Sequence, residues 1–137
     1  MPRCTVTRRV HFNAAHRLHN PRLTPAENEA LFGVCGNPNF HGHNYQLEIS
    51  VEGDIDPRTG YVMDVQRIKQ IADECLLRHL DHKNLNLDVP WFADLNPTAE
   101  NIAVVSWRVL QPAVKPATLK RIRLWETERI YVDYHGT

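Results

Sequence analysis

The sequence predicts an α+β fold in which two helices cover one face of an antiparallel sheet. Two segments near the N-terminus alternate apolar and polar residues with the period of two that is typical of strands. Two later segments repeat apolar residues at helical spacing, and the C-terminal segment alternates again on both sides of a bend. This order, β-β-α-α-β-β, contains no internal repeat and no linker, so we expect a single domain over residues 1–137.

The first strand is predicted from Thr5 to His16. Apart from Arg8, one parity of this segment carries Val6, Val10, Phe12, Ala14 and finally His16. Because alternate side chains of a strand share a face, His16 ends the face that should be buried. The Pro-rich segment that follows predicts a short helix from Pro25 to Phe32, which Gly33 stops.

The second strand is predicted from His41 to Glu52, and it begins with two histidines. His41 and His43 share the parity of Tyr45, Leu47, Ile49 and Val51. The pair therefore starts one buried face, and His16 ends another. We expect the three histidines to line one cavity.

The remaining elements follow from caps and periodicity. A turn-rich link and a short strand should lead into a helix from Val65 to Arg78, with Asp64 as its cap and Cys75 on its apolar side. After an irregular stretch that ends at Pro97, Thr98 should cap a second helix that stops at Pro112. The segment from 118 to 134 predicts a hairpin with Thr127 near its bend.

Composition limits the classes of partner. Sixteen basic and sixteen acidic residues balance to a formal charge of zero, which favours neither nucleic acid nor an anionic membrane. The N-terminus lacks an apolar signal region and no run is long enough to span a bilayer, so we expect a cytoplasmic protein. The three cysteines have no framework spacing, which is typical of free thiols in a reducing compartment.

Three histidines at strand ends, His16, His41 and His43, predict a site for a divalent metal such as zinc. Three imidazole ligands leave a fourth position for water or substrate, which is the pattern of catalytic rather than structural sites. His11, His19, His79 and His135 lack such partners, so they are interpreted as ordinary core or surface residues.

Two further features leave their roles open. Cys35 can be a fourth metal ligand, a base or nucleophile, or an inert thiol, and spacing alone does not decide among them. Asp81 and His82 can form an acid–base relay, although the residue types alone favour an ordinary polar loop at the end of a helix.

Glu126 ends the apolar parity of Ile122 and Leu124, so its carboxylate should lie at the edge of a buried face. A carboxylate in such a place accepts two parallel N–H bonds from a guanidine-like edge, as arginine or the 2-amino-4-oxo edge of a pterin presents. Thr98 and Glu100 can simply cap their helix.

The chain resembles the 6-pyruvoyltetrahydropterin synthase family nearly from end to end. The resemblance depends on five motifs in family order: FNAAHRL (12–18), LFGVCGNPNFHGHNY (31–45), LDHKNLN (80–86), DVPWFADLNPTAEN (88–101) and LWETE (124–128). By their places in these motifs, His16, His41 and His43 resemble the family's zinc ligands. Cys35, Asp81 and His82 resemble its catalytic trio. Glu126, together with Thr98, resembles its pterin-binding residues.

The resemblance implies a tunnelling fold, or T-fold, in which subunits join edge to edge into a barrel and two trimers stack into a homohexamer. It also implies a zinc lyase that acts on 7,8-dihydroneopterin triphosphate and has active sites at subunit interfaces. Phe40 precedes His41 where the family would be expected to carry glycine, and Ala99 follows Thr98 where a second threonine is frequent.

Three other functions are alternatives to this one. A sister family makes 6-carboxytetrahydropterin from the same substrate with similar ligands, but its cysteine usually lies closer to the His-x-His pair than Cys35 does. A non-catalytic zinc module would need four protein ligands, Cys35 among them, and would unfold when its metal is removed. A zinc hydrolase would not need the thiol.

Overall fold

A five-stranded sheet in the order β3-β1-β2-β4-β5 forms the framework of the protein. The computed structural model describes the whole chain, Met1 to Thr137. The strands are β1 (Arg3–His16), β2 (His41–Asp54), β3 (Lys83–Asn84), β4 (Thr118–Thr127) and β5 (Ile130–Tyr134). The α-helices are α1 (Pro25–Phe32), α2 (Val65–Ala72), α3 (Arg78–Leu80), α4 (Leu85–Asp88) and α5 (Ala99–Leu110).

The predicted α+β class is confirmed, and the two long helical segments lie on one face of the sheet. Alternate residues of β1, β2 and β4 belong to the same buried cluster as the apolar residues of α2 and α5. Tyr45, Leu47 and Ile122 in this cluster are essentially inaccessible to solvent. The opposite face is polar, and there Glu48 of β2 accepts hydrogen bonds from Arg9 and Arg121 at 2.8 and 2.9 Å.

Strands β1 and β2 pair over their whole length, and this register brings the ends of the two buried faces together. His16 lies directly opposite His41, and Ala14 lies opposite His43. Because a slip of one residue would turn every buried side chain to the solvent face, the burial of Phe12 and Tyr45 fixes this register. The three predicted ligands therefore meet at one corner of the sheet.

The helix predicted from Val65 to Arg78 is present but changes form in its second half. Asp64 caps α2 by accepting a hydrogen bond from the Gln66 N–H at 2.9 Å. The segment Asp73–Leu77 is a π-helix that leads into α3. This wider turn brings Leu76 and Leu77 to the core, and Cys75 is only half-buried.

The segment between α3 and α5 contains regular structure that the sequence did not predict. Strand β3 pairs with Ala14 and Ala15 of β1 in the parallel direction, so the sheet is not wholly antiparallel. Two short helical turns follow, and their residues Leu85 and Phe92 are buried. The structure of this segment depends on its packing against the core, and its sequence has no helical or strand periodicity that would predict it.

The short strand predicted before Asp64 is wrong. The Asp56 carboxylate accepts a hydrogen bond from the Arg58 N–H at 2.8 Å, and the Asp56 N–H donates to the Tyr61 carbonyl at 2.9 Å. These bonds close a turn that ends at the exposed Tyr61. The next two residues, Val62 and Met63, both pack against the core, so buried and exposed side chains do not alternate as in a strand.

The helix caps and the C-terminal hairpin follow the predictions more closely. Thr98 accepts a hydrogen bond from the Asn101 N–H at 3.1 Å at the start of α5, and Thr24 caps α1 in the same way. Strands β4 and β5 meet immediately after Thr127.

No helix of this chain combines the length and apolarity that a bilayer crossing requires.

Candidate active site

Three histidines form a cluster at the corner where β1 ends and β2 begins. One ligand atom from each of His16, His41 and His43 can be chosen so that all lie within 4.8 Å of one another. The ring of His16 is 4.6 Å from that of His41 and 5.1 Å from that of His43, measured between centroids. We call these three residues the histidine cluster.

The orientation of His16 is fixed by the loop that precedes α5. Its Nδ1 atom lies 2.7 Å from the Pro97 carbonyl oxygen, and the side chain is buried. Since a carbonyl can only accept, Nδ1 carries the hydrogen and Nε2 keeps its lone pair. A backbone carbonyl that holds one ring nitrogen in this way is a common support for a metal-binding histidine.

The electrostatics of the cluster favour neutral imidazoles, which are the form that binds a cation. Burial lowers the pKa of His16 to about 4, and the neighbouring His41 and His43 add to this effect against the Pro97 hydrogen bond. Burial also lowers the pKa of His43, although the Glu126 carboxylate opposes the shift. Both shifts favour the neutral forms of His16 and His43, whose lone pairs can bind a cation.

Two nitrogen atoms of the cluster indicate that a metal ion fits it. His41 Nδ1 and His43 Nε2 are buried and have no hydrogen-bond partner. Buried polar nitrogens normally have partners, because an unsatisfied one costs about 1–3 kcal/mol. A divalent ion coordinated by the three imidazoles would satisfy both atoms and would leave one tetrahedral position open. The three imidazoles therefore fit a metal ion.

Tyr45 supports the cluster from below. Its hydroxyl lies 3.3 Å from His16 Nδ1, and its ring stacks on Phe12 with centroids 4.8 Å apart. Burial raises the pKa of this phenol, and the Glu126 charge adds to the shift, so Tyr45 stays uncharged. Tyr45 therefore supports the histidine rings mechanically and does not react.

Glu126 lies beside the cluster, as its parity in the sequence indicated. Its carboxylate oxygen Oε1 is 3.9 Å from His43 Nε2, and the side chain is 23% exposed. Trp125 pairs with Tyr131 and Thr127 pairs with Ile130, so Glu126 is the extra residue of a β-bulge. Bulges redirect side chains next to active sites, and this one presents a carboxylate at the edge of the cluster.

Cys35 lies in a 3-10 turn, Gly33–Gly36, that is attached to the segment after His16. Its carbonyl accepts a hydrogen bond from the Leu18 N–H at 2.8 Å, and the Arg17 guanidinium donates to the Gly36 carbonyl at 3.0 Å. The thiol is half-buried and free. Its sulfur is not among the atoms that gather in the histidine cluster, so within this chain it does not close the metal site.

Asp81 and His82 form a pair at the outer side of β1. The Asp81 carboxylate accepts a hydrogen bond from the Asn13 N–H at 2.9 Å and lies 3.0 Å from His82 Nδ1. The Asn13 N–H, followed by His82, lowers the pKa of this carboxyl group. The His82 side chain is 81% exposed, and no hydrogen bond or ion pair joins the pair to the histidine cluster of the same chain.

Some supporting groups left no trace in the sequence. The hydroxyl of Thr98 caps α5, and it is the preceding Pro97 carbonyl that contacts His16. A backbone carbonyl has the same chemistry whatever its side chain, so no residue type marks it. The Asn13 N–H that binds Asp81 was missed for the same reason.

Comparisons with known proteins agree with this geometry. The sequence profile of the family described as 6-pyruvoyl tetrahydropterin synthase matches residues 5–137. The chain is 47% identical over 131 residues to the 6-pyruvoyl tetrahydrobiopterin synthase of Pongo abelii, covering 96% of this chain and 90% of that protein. It is 46% identical over 131 residues to the Homo sapiens protein of the same description, with coverage of 96% and 90%.

Structural comparison leads to the same group. The solved structure of Caenorhabditis elegans 6-pyruvoyl tetrahydropterin synthase superimposes with a TM-score of 0.95 at 37% identity, covering 100% of this chain and 98% of that chain. The fold is accordingly the T-fold. Similarity in sequence and in structure thus extends over nearly the whole length, and the chain belongs to the 6-pyruvoyl tetrahydropterin synthase family.

Proposed function

We propose that this protein is a zinc-dependent lyase that converts 7,8-dihydroneopterin triphosphate to 6-pyruvoyltetrahydropterin with loss of triphosphate. The observation that carries the proposal is a cluster of three imidazoles, with a carboxylate 3.9 Å from one of them, in a chain of this family. The cluster suits a metal that touches substrate, and the carboxylate suits a nitrogen-rich ring.

His16, His41 and His43 would hold the zinc, and the Pro97 carbonyl would keep the His16 ring in place. When bound, zinc supplies Lewis acidity that makes the hydrogens beside the side-chain oxygens of the substrate easier to remove. Glu126 would accept two N–H bonds from the 2-amino-4-oxo edge of the pterin and so set the distance between ring and metal.

Cys35, Asp81 and His82 would carry out the proton transfers of the reaction. Cys35 as the thiolate accepts a proton from the substrate side chain. Asp81 holds Nδ1 of His82 at 3.0 Å, which leaves Nε2 of His82 free to exchange protons with the substrate. Asn13 keeps Asp81 ionised through its N–H, so the imidazole is oriented by a charge throughout the reaction.

The separation of Asp81 and His82 from the cluster supports a site shared between neighbouring subunits. Strand β3 covers only Ala14 and Ala15 of the outer edge of β1, and Asn13 is bonded to Asp81 and His82, so the edge from Arg3 to Phe12 pairs with no other strand of the chain. The outer edge of β5 is open as well. Pairing such edges closes a barrel, and in the homohexamer that we propose the relay of one subunit serves the cluster of the next. We expect this assembly in the cytoplasm.

The test is to identify the product. Zinc-loaded protein is incubated with 7,8-dihydroneopterin triphosphate, and the pterin is analysed by mass spectrometry. The expected product is 6-pyruvoyltetrahydropterin with release of inorganic triphosphate. A 6-carboxy product would assign the chain to the alternative reaction, and an unchanged substrate would indicate a non-catalytic zinc module.

A further inference from the structure

A cavity of about 530 Å³ lies next to the histidine cluster, between the segment after β1 and the loop before α5. Two of its lining residues connect it to the cluster. Phe40 immediately precedes His41, and the Pro97 carbonyl binds His16 at 2.7 Å. Its volume falls in the range of about 300–1,000 Å³ that is usual for small-molecule sites. We call it the arginine-lined cavity, after Arg17 and Arg22 in its wall.

The cavity and Glu126 lie at opposite ends of the histidine cluster. Gln46 pairs with Trp125, so Glu126 lies near the level of Tyr45, two residues beyond His43. Phe40 lies before His41, at the other end of the same stretch of β2. From His41 to Tyr45 a strand rises about 13 Å. A ligand whose ring is held by Glu126 and whose middle lies at the cluster would therefore direct its far end toward this cavity.

The charges in the wall suit an anionic end group. Arg17 and Arg22 both line the cavity, and neither is among the arginines that pair with a carboxylate. Nε of Arg17 is buried without a hydrogen-bond partner, and its Nη2 donates to the Gly36 carbonyl. Asp94 is the one carboxylate among the lining residues. The wall therefore carries an excess of positive charge in a protein whose formal net charge is zero.

Phe40 gives an independent reason to connect this cavity with a ligand. Its φ of 68° lies in the left-handed region, which is a genuine outlier for a bulky aromatic residue. The ring belongs neither to the buried core nor to the apolar residues packed against it, so core packing does not offset the strain. Strained residues of this kind cluster at ligand sites, and the Phe40 ring lines the cavity.

We propose that the arginine-lined cavity is the subsite for the polyphosphate tail of the substrate, with Arg22 as a contact to the tail and Phe40 as the wall that confines it. This inference rests on the proposed function, because it takes the pterin end to lie at Glu126. Arg17 and Arg22 would donate charge-assisted hydrogen bonds to phosphate oxygens. The Phe40 ring would exclude water from the channel between the metal and the tail.

The test compares two stable ligands, neopterin and neopterin triphosphate, by calorimetry with the zinc-loaded oligomer. The parent protein should bind the triphosphate at least about tenfold more tightly. Arg22→Ala and Phe40→Gly should each remove most of this difference and leave neopterin affinity unchanged. Phe40→Gly should also melt at or above the parent temperature, because glycine adopts the left-handed conformation without strain. Arg67→Ala, which removes an unpaired charge on α2, is the matched control and should keep the full difference.

The possible results distinguish failure of the proposed tail subsite from failure of the proposed function. If both ligands bind the parent equally, or if Arg22→Ala behaves like Arg67→Ala, the cavity does not hold the tail, while the pterin assignment stands. If Phe40→Gly weakens both ligands alike, Phe40 is not the wall of a tail subsite. If neither ligand binds the parent, the proposed function falls and the subsite falls with it.

Discussion

Replacement of His43 by alanine should abolish the effect of zinc on stability while changing the metal-free protein little. In the metal-free state, the substitution removes contacts with two imidazole rings, whose centroids are 5.1 and 5.0 Å away. It also removes a buried nitrogen that has no partner. The first change is unfavourable and the second relieves a cost of about 1–3 kcal/mol, so the net change should stay within about 1 kcal/mol.

With zinc present the two proteins should differ strongly. A metal that binds only the folded state, held at about 100 times its Kd, stabilises that state by about 2.7 kcal/mol. For a chain of 137 residues this corresponds to a rise in melting temperature of about 9 °C, from an unfolding entropy of about 2.1 cal/mol/K per residue. His43→Ala keeps only two imidazoles and should lose this rise.

The assay is scanning calorimetry with zinc and with a chelator, together with elemental analysis of the purified proteins. The parent should contain about one zinc per chain, because its three imidazoles form a single tetrahedral site. His135→Ala, which removes an exposed histidine far from the cluster in sequence, is the control and should behave as the parent. Undiminished zinc in His43→Ala, or an equal zinc-dependent shift, would refute the ligand assignment.

Four other expectations concern the remaining groups. Cys35→Ala should keep its zinc and its affinity for substrate but lose nearly all turnover, and loss of metal in this variant would make the thiol a ligand instead. Glu126→Gln should weaken pterin binding in calorimetry without changing the zinc content, because an amide accepts at only one of the two positions that the pterin edge requires. The pKa of Asp81 is depressed in the folded state. Its contribution to the free energy of unfolding should therefore be present above the ordinary aspartate pKa and disappear as the pH falls through the pKa of the folded state. Asp81→Asn should flatten that part of the curve of unfolding free energy against pH. Cys35→Ala and His82→Ala should each be inactive alone, whereas verified mixed oligomers should recover activity at the roughly one quarter of interfaces that join two intact partners, and no recovery would place the whole site within one chain.

The parts of the fold that the sequence predicted are those where local chemistry and tertiary packing agree. The alternation of β1 and β2 placed His16, His41 and His43 on one face, because a strand offers only two directions for its side chains. Asp64 and Thr98 marked helix starts through side chains that bond the backbone directly. Glu126 was found in the same way, from its parity with Leu124.

The parts that were missed depend on groups without a sequence signature or on distant contacts. Strand β3 has two residues and exists because the chain there passes beside Ala14 and Ala15. The wide turn at Asp73–Leu77 interrupts a pattern that reads as one regular helix. The left-handed conformation of Phe40 is invisible in the sequence, since glycine or asparagine would be expected at such a position.

The register of β1 against β2 makes insertions within these strands different in effect from insertions in the connection between them. The three histidines that we propose as metal ligands lie where β1 and β2 pair, and inserting one residue in either strand would turn a histidine to the other face. Cys35 lies in the connection between these strands, where the Leu18 N–H donates to its carbonyl and the Arg17 guanidinium donates to the Gly36 carbonyl. A longer or rebuilt connection would therefore move the Cys35 thiol and leave the register of the three histidines unchanged. The positions of the imidazoles depend on the sheet, whereas the position of the thiol depends on the loop.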